Sequence, residues 1–173
     1  WAGPYLADVH GLGTEARGEA LSLMFFALAA APILFGPLDR VFNTRKWVVV
    51  SAVLMLIATL SLLALLEPPS LWQVQALFLF LGLISPGSLV LHAHARSTLP
   101  EHLVGRGMTL QNMAAMGGIF VLQSVSGLII GAFEPQGGAV PEIAYRTVFG
   151  FLAVALLVSL SIYLTAKDIK PGQ

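Results

Sequence analysis

Apolar residues gather into five long runs, at 20–38, 47–66, 71–93, 108–133 and 147–166, with short polar stretches between them. Each run is 19–26 residues long and none contains a charged residue. The helix of a water-soluble protein carries charged or polar residues on its wet face every third or fourth position. None of these runs does. A hydrocarbon core about 30 Å thick is crossed by about 20 apolar residues of helix. The pattern predicts an all-α fold, a polytopic bundle of five transmembrane helices.

The few polar and helix-breaking positions inside the runs make the helices unequal. Run 47–66 has no Gly, Pro, Asn or Gln, and run 147–166 has Gly150 as its only breaker. Such uniform helices suit a lipid-facing position. Run 20–38 carries Pro32, run 71–93 carries Gly82, Pro86 and Gly87, and run 108–133 carries Gly117, Gly118, Gly127 and Gly131. The Gly127-x-x-x-Gly131 spacing is that of closely packed membrane helices. Ser85-Pro86-Gly87-Ser88 predicts a kink, because proline removes one backbone hydrogen bond and crowds the preceding turn. That break reads either as a hinge or as a static bend.

Amides within hydrocarbon are the next signal, since an unsatisfied polar group there is costly. Asn112 and Gln123 are 11 residues apart; at about 100° per residue they fall within roughly 20° of one face. Gln75, Gly82 and Pro86 share a face of their own helix by the same reasoning. Gln123, Asn112, Gln75, Ser85 and Ser88 are therefore the candidate cavity residues. The alternative for Asn112 and Gln123 is a hydrogen bond tying their helix to a neighbour, and for Gln75 it is anchoring at the membrane interface.

Composition sharpens the class. Hydrophobic residues make up 57% and charged residues 10%, with a mean hydropathy of +0.83. Soluble domains average about 45–50% and about 25%. Nine basic residues balance nine acidic ones and there is no Cys. The balance excludes a polyanion-recruiting field, so no nucleic-acid partner is expected. No thiolate site can form, and no nucleophile elbow, zinc-protease motif or phosphate loop is present. His92 and His94 diverge on a helix, so neither a metal site, a cofactor nor an enzyme is expected.

Seven of the nine Lys and Arg lie in alternate connecting segments, those around Arg40–Lys46, Arg96–Arg106 and Lys167–Lys170, against two at Arg17 and Arg146. The positive-inside rule assigns the richer set, and with it the C-terminus, to the cytoplasm. Trp1–Leu6 then reads as the outer end of a further helix whose body lies upstream, so the chain is expected to be a fragment.

Several segments resemble the major facilitator superfamily, and the C-terminal half of a twelve-helix member in particular. Trp1-Ala2-Gly3-Pro4-Tyr5-Leu6-Ala7-Asp8 is similar to the outer end of the seventh helix in many bacterial carriers. Gly36-Pro37-Leu38-Asp39-Arg40, followed by Arg45-Lys46, resembles the family's cytoplasmic Gly…Asp-Arg…basic-pair signature, here between the eighth and ninth helices. Gly precedes Asp by three residues rather than four, and the gap to the basic pair is longer, which implies altered gating contacts. Leu99-Pro100 to Gly105-Arg106-Gly107 is similar to the link between the tenth and eleventh helices.

The resemblance implies that residues 1–173 form one six-helix half of a carrier in a bacterial-type inner (plasma) membrane. Its partners would be the lipid bilayer, a small-molecule solute and the N-terminal six-helix half. Transport would proceed by rocking of the two halves about a midplane site. Asp39 and Arg40, with Gly36 and Pro86, become the conformational or gating candidates. The rival reading is a non-transporting integral membrane scaffold or assembly subunit, which has no need of kinked helices with amides on one face.

Overall fold

The computed structural model describes residues 1–67, 69–135 and 137–171. Its elements are all helical: α1 (Ala2–Asp8), α2 (Thr14–Phe35), α3 (Leu38–Val41), α4 (Lys46–Leu65), α5 (Leu71–Ile84), α6 (Gly87–Ser97), α7 (Val104–Gly131) and α8 (Glu142–Tyr163), with a single 3-10 turn at Glu101–Leu103. Taken through their short breaks, five helical stretches are long and apolar enough to cross a membrane: Thr14–Val41, Lys46–Leu65, Leu71–Ser97, Glu101–Gly131 and Glu142–Tyr163.

The five expected spans are all present, with shifted ends. α2 begins at Thr14 rather than 20, α7 at Val104 rather than 108, and α8 at Glu142 rather than 147. The apolar runs mark what can lie in hydrocarbon, whereas the helices continue into the polar boundary. Glu15 and Glu142 stand in the first turns of α2 and α8, where a helix end favours negative charge. The expected kink is a full break: α5 stops at Ile84 and α6 resumes at Gly87, after Pro86. At the start of α5, Ser70 and Gln73 form a reciprocal capping box, which satisfies two otherwise orphaned groups.

α4 packs most extensively on α8, and α2 on α5. The main core joins Leu60 and Leu63 of α4, Val74 and Phe78 of α5 and Tyr145, Phe149 and Ala153 of α8 around Tyr5 and Leu6 of α1. The Tyr5 ring meets Phe78, Tyr145 and Phe149 edge-on, with centroids 5.4–6.1 Å apart, the arrangement aromatic quadrupoles prefer.

α8 and its extension also hold both ends of α4. Asp168 Oδ1 accepts from the backbone N–H groups of Arg45 (3.2 Å) and Lys46 (3.0 Å) at the start of α4. Arg146 Nε donates to the carbonyl of Ala64 (2.7 Å) at its other end, and Arg146 Nη1 to Glu67 Oε1 (2.6 Å).

Close helix approach is achieved where the sequence did not point most strongly. Gly127 and Gly131 face open space, with nothing within 4 Å of a Cβ added at either. Their spacing is not used for packing within this chain. Gly82 is the contact glycine instead: a Cβ there would lie 3.3 Å from the Ala27 side chain and closer still to the Met24 carbonyl on α2. Gly87 likewise brings α6 against Ala52 of α4. Gly82→Val is expected to push α5 from α2 and destabilise the fold by about 1–3 kcal/mol. Thermal unfolding of the purified protein checks this, with Gly127→Val, which meets nothing, as the unaffected comparison.

Candidate functional site

Two helices leave an unpartnered face. Only 6% of the apolar window of the α7 span and 11% of that of the α2 span is buried, against 33–39% for the other three. α7 exposes Met113, Met116, Ile119 and Phe120, and α2 exposes Phe25, Phe26 and Ile33. Asn112 and Gln123 are both exposed on α7, so within this chain neither amide ties α7 to a neighbour.

The candidates on the broken span are divided. Gly82 and Pro86 are buried, Gly82 against α2, and Gln75 is half-buried. That face is a helix-packing surface. Ser85 and Ser88 lie on the exposed side: Ser85 Oγ donates to the Leu81 carbonyl at 2.6 Å, and the Ser88 carbonyl meets His92 Nδ1 at 2.7 Å. Ser85 thus adds its hydroxyl to a backbone carbonyl before the break, while at Ser88 the backbone and not the hydroxyl is engaged.

The gating candidates sit around the start of α4. Past Pro32, the N–H of Gly36 donates to the Pro32 carbonyl (2.8 Å), and Pro37 leads into the short α3. Asp39 is buried, and Arg45 Nε donates to its Oδ2 at 3.4 Å. Asn43, at φ 49°, turns the chain from α3 towards α4, a left-handed position that Asn tolerates better than most residues. Arg40 stays exposed, lining an open pocket of about 340 Å³ with Asn43, Arg45 and Pro171. The structure thus joins Asp39 to Arg45 and leaves Arg40 apart from that pair.

The segment after α8 completes this end. Thr44 Oγ1 donates to Asp168 Oδ2 at 2.6 Å, and Lys46 Nζ donates to the Leu164 carbonyl at 2.7 Å. Fully buried His94 stands between Tyr163 and the tail: its Nε2 lies 2.9 Å from the Lys167 carbonyl, and its Nδ1 2.6 Å from the Tyr163 hydroxyl. A carbonyl only accepts, so Nε2 carries the proton. In the neutral ring Nδ1 then accepts from Tyr163.

The family model of the Major Facilitator Superfamily matches residues 2–173. The chain belongs to the Major Facilitator Superfamily. No curated protein and no solved structure matches it. Membership makes it a membrane transporter of the major facilitator type, built of multiple membrane-crossing helices in a lipid bilayer.

In this facilitator-superfamily chain three residues of structural weight escaped the sequence reading: His94, Arg146 and Asp168. In sequence His94 enters only as a ring that diverges from His92, yet it is fully buried and contacts Tyr163 and the Lys167 carbonyl. The available signal was the tail itself, where Lys167 and Asp168 follow directly on the last apolar run, which ends just after Tyr163.

Burial acts to raise the Asp168 carboxyl. The hydrogen bonds from Thr44, Lys46 and Arg45, with His94 nearby, outweigh it and hold the group below its ordinary value. A carboxyl lowered by folding stabilises the folded form above its unfolded value, and the contribution is lost as pH falls through the lowered one. Asp168→Ala is expected to speed amide hydrogen exchange at Arg45 and Lys46 by roughly tenfold at neutral pH, equivalent to about 1.4 kcal/mol. The difference from the unsubstituted protein should fade below the carboxylate range. Identical exchange at neutral pH would contradict the cap.

Proposed function

We propose that this chain is the C-terminal six-helix half of a carrier that moves a small solute across the bilayer by alternating access. The observation that carries this reading is the face of α7. Gln123 is exposed in the interior of a membrane-crossing helix, and an amide there is costly against lipid tails. Its natural neighbours are water or another polar protein surface. The sparsely buried α2 supplies a second helix without cover. α4 and α8, clamped together and lacking interior amides, suit the lipid side.

A membrane scaffold has no use for an uncovered amide in mid-span, and the reading of a scaffold is the weaker for it. The excess of Lys and Arg at the Asp39 end, seven against two, supports a cytoplasmic location for that end and for the C-terminus in an inner (plasma) membrane. Asp39 and Arg45 form the charge pair between α3 and α4 there. Breaking and remaking that pair would bias the carrier between its two access states. Arg40 is free to engage the other half, and the Pro86 break gives α5–α6 a bend around which to move.

This chain has no Cys, so a cysteine introduced into it is labelled singly once any cysteines of the other half are replaced by Ser. In proteoliposomes of the full-length protein, a membrane-impermeant maleimide is expected to modify Gln123→Cys and Met116→Cys at least about tenfold faster than Val154→Cys on α8, since reaction needs a hydrated thiolate. Asp39→Asn should change the rate at Gln123→Cys by shifting the balance of access states. Equally slow labelling at all three positions would contradict a water-lined α7.

A further inference from the structure

The end of the α4–α8 pair remote from Asp168 holds an imbalance of charge. Glu142 and Arg146 are four residues apart at the start of α8, the spacing at which an acid and a base pair on a helix surface. Arg146 turns away to the end of α4 instead, donating to the Ala64 carbonyl (2.7 Å), the Leu65 carbonyl (3.5 Å) and Glu67 Oε1 (2.6 Å). Glu142 Oε1 is left buried with no hydrogen-bond partner among the described residues, and so are Tyr5 Oη and His10 Nε2. These three groups belong together. Fully buried Tyr5 meets the His10 ring edge-on at 5.5 Å and the Tyr145 ring at 5.4 Å, and Glu142 stands one helical turn before Tyr145 on the same side of α8.

Two ionisable groups beside them are already engaged. Asp8 of α1 accepts from the Tyr145 hydroxyl of α8 at 2.5 Å, and Arg146 is held by α4 and Glu67. Glu142 is half-buried, with its Oε1 shut off and unpartnered, and a buried acceptor left unmade is costly. One added proton removes the imbalance. An imidazolium at His10 can face a carboxylate at Glu142, whose remaining lone pairs can take the Tyr5 hydroxyl.

We propose that His10, Glu142 and Tyr5 form a proton-binding site, in which a proton from the adjoining aqueous phase is held between the imidazole and the carboxylate. Burial lowers the His10 imidazole below its ordinary value and the Glu142 carboxylate acts against that, so loading accompanies acidification of that compartment. Loading fastens the α1–α2 turn, which carries His10, to the start of α8, and unloading releases it. Resting on the carrier reading, this would make the accessible end of the cavity sensitive to pH on that side.

The test is nitrogen-15 NMR of histidine-labelled full-length protein in lipid nanodiscs, titrated from alkaline to acid, with the His10 signal assigned by its loss in His10→Asn. The expected result is a His10 midpoint that falls by about one pH unit in Glu142→Gln, where the opposite charge is gone. Glu67→Gln provides a second arm that leaves the site's own residues intact. It frees Arg146 to turn back to Glu142 and should also lower the midpoint. A midpoint unmoved in both variants would overturn the proposal. So would a midpoint that follows sodium concentration at constant ionic strength, which would assign a metal cation to the site. The readout needs no solute, so it fails or succeeds apart from the carrier reading, which thiol accessibility decides.

Discussion

The charged ends of α4 set the terms for the rest of the structure. Hydrocarbon offers no water to the first N–H groups and last carbonyls of a helix, so these must find partners at the membrane boundary. α8 and the residues after it supply both. Asp168 brings a negative carboxylate to the N-terminus of α4 and Arg146 a positive guanidinium to its C-terminus. Each sign opposes the partial charge of the helix end it meets, worth roughly 0.3–1 kcal/mol at an exposed end and up to about 2 when partly buried. α4, with 20 residues, is about 30 Å long, close to the thickness it must cross. α4 and α8 are thereby pinned to each other at both membrane surfaces.

That pinning distributes the remaining chemistry. With Arg146 committed to α4, Glu142 loses its natural partner and an unbalanced set of buried polar groups gathers around Tyr5. With Asp168 committed to the opposite end, the tail is drawn over His94, and Asp39 is left to pair with Arg45. α5 and α6 fill the space beside α4, and the close approach at Gly82 brings in α2. α7 is held mainly by α8 and α6, and presents its amides outward. One helix pair thus forms a fixed wall, while the opposite side of the bundle stays uncovered.

Hydropathy alone was enough to read the five spans, because lipid imposes a length and a polarity that few other constraints mimic. The break at Pro86 was equally readable, since proline acts through its own covalent structure. Helix ends were less so: Glu142 and Arg146 lie outside the apolar run yet inside the helix, as only tertiary contacts with α4 reveal. Gly127 and Gly131 had the spacing of a packing motif and face nothing within the chain, whereas Gly82, with no motif around it, is where backbones meet. A small residue permits approach but does not dictate it. The signature around Asp39 included Arg45 but did not single it out as the partner of Asp39, and the Thr44–Asp168 contact spans 124 residues of sequence, beyond any local pattern.

The claim on which the account turns is that α4 and α8 move as one body. Double electron–electron resonance on the full-length protein in nanodiscs, with spin labels on exposed residues of the two helices, measures this at each membrane surface in turn. The account predicts one narrow distance at the Asp168 end and one at the Arg146 end, each broadened when Asp168→Ala or Arg146→Met removes the clamp on that side. Two resolved distances between α4 and α8 in the unsubstituted protein would contradict it.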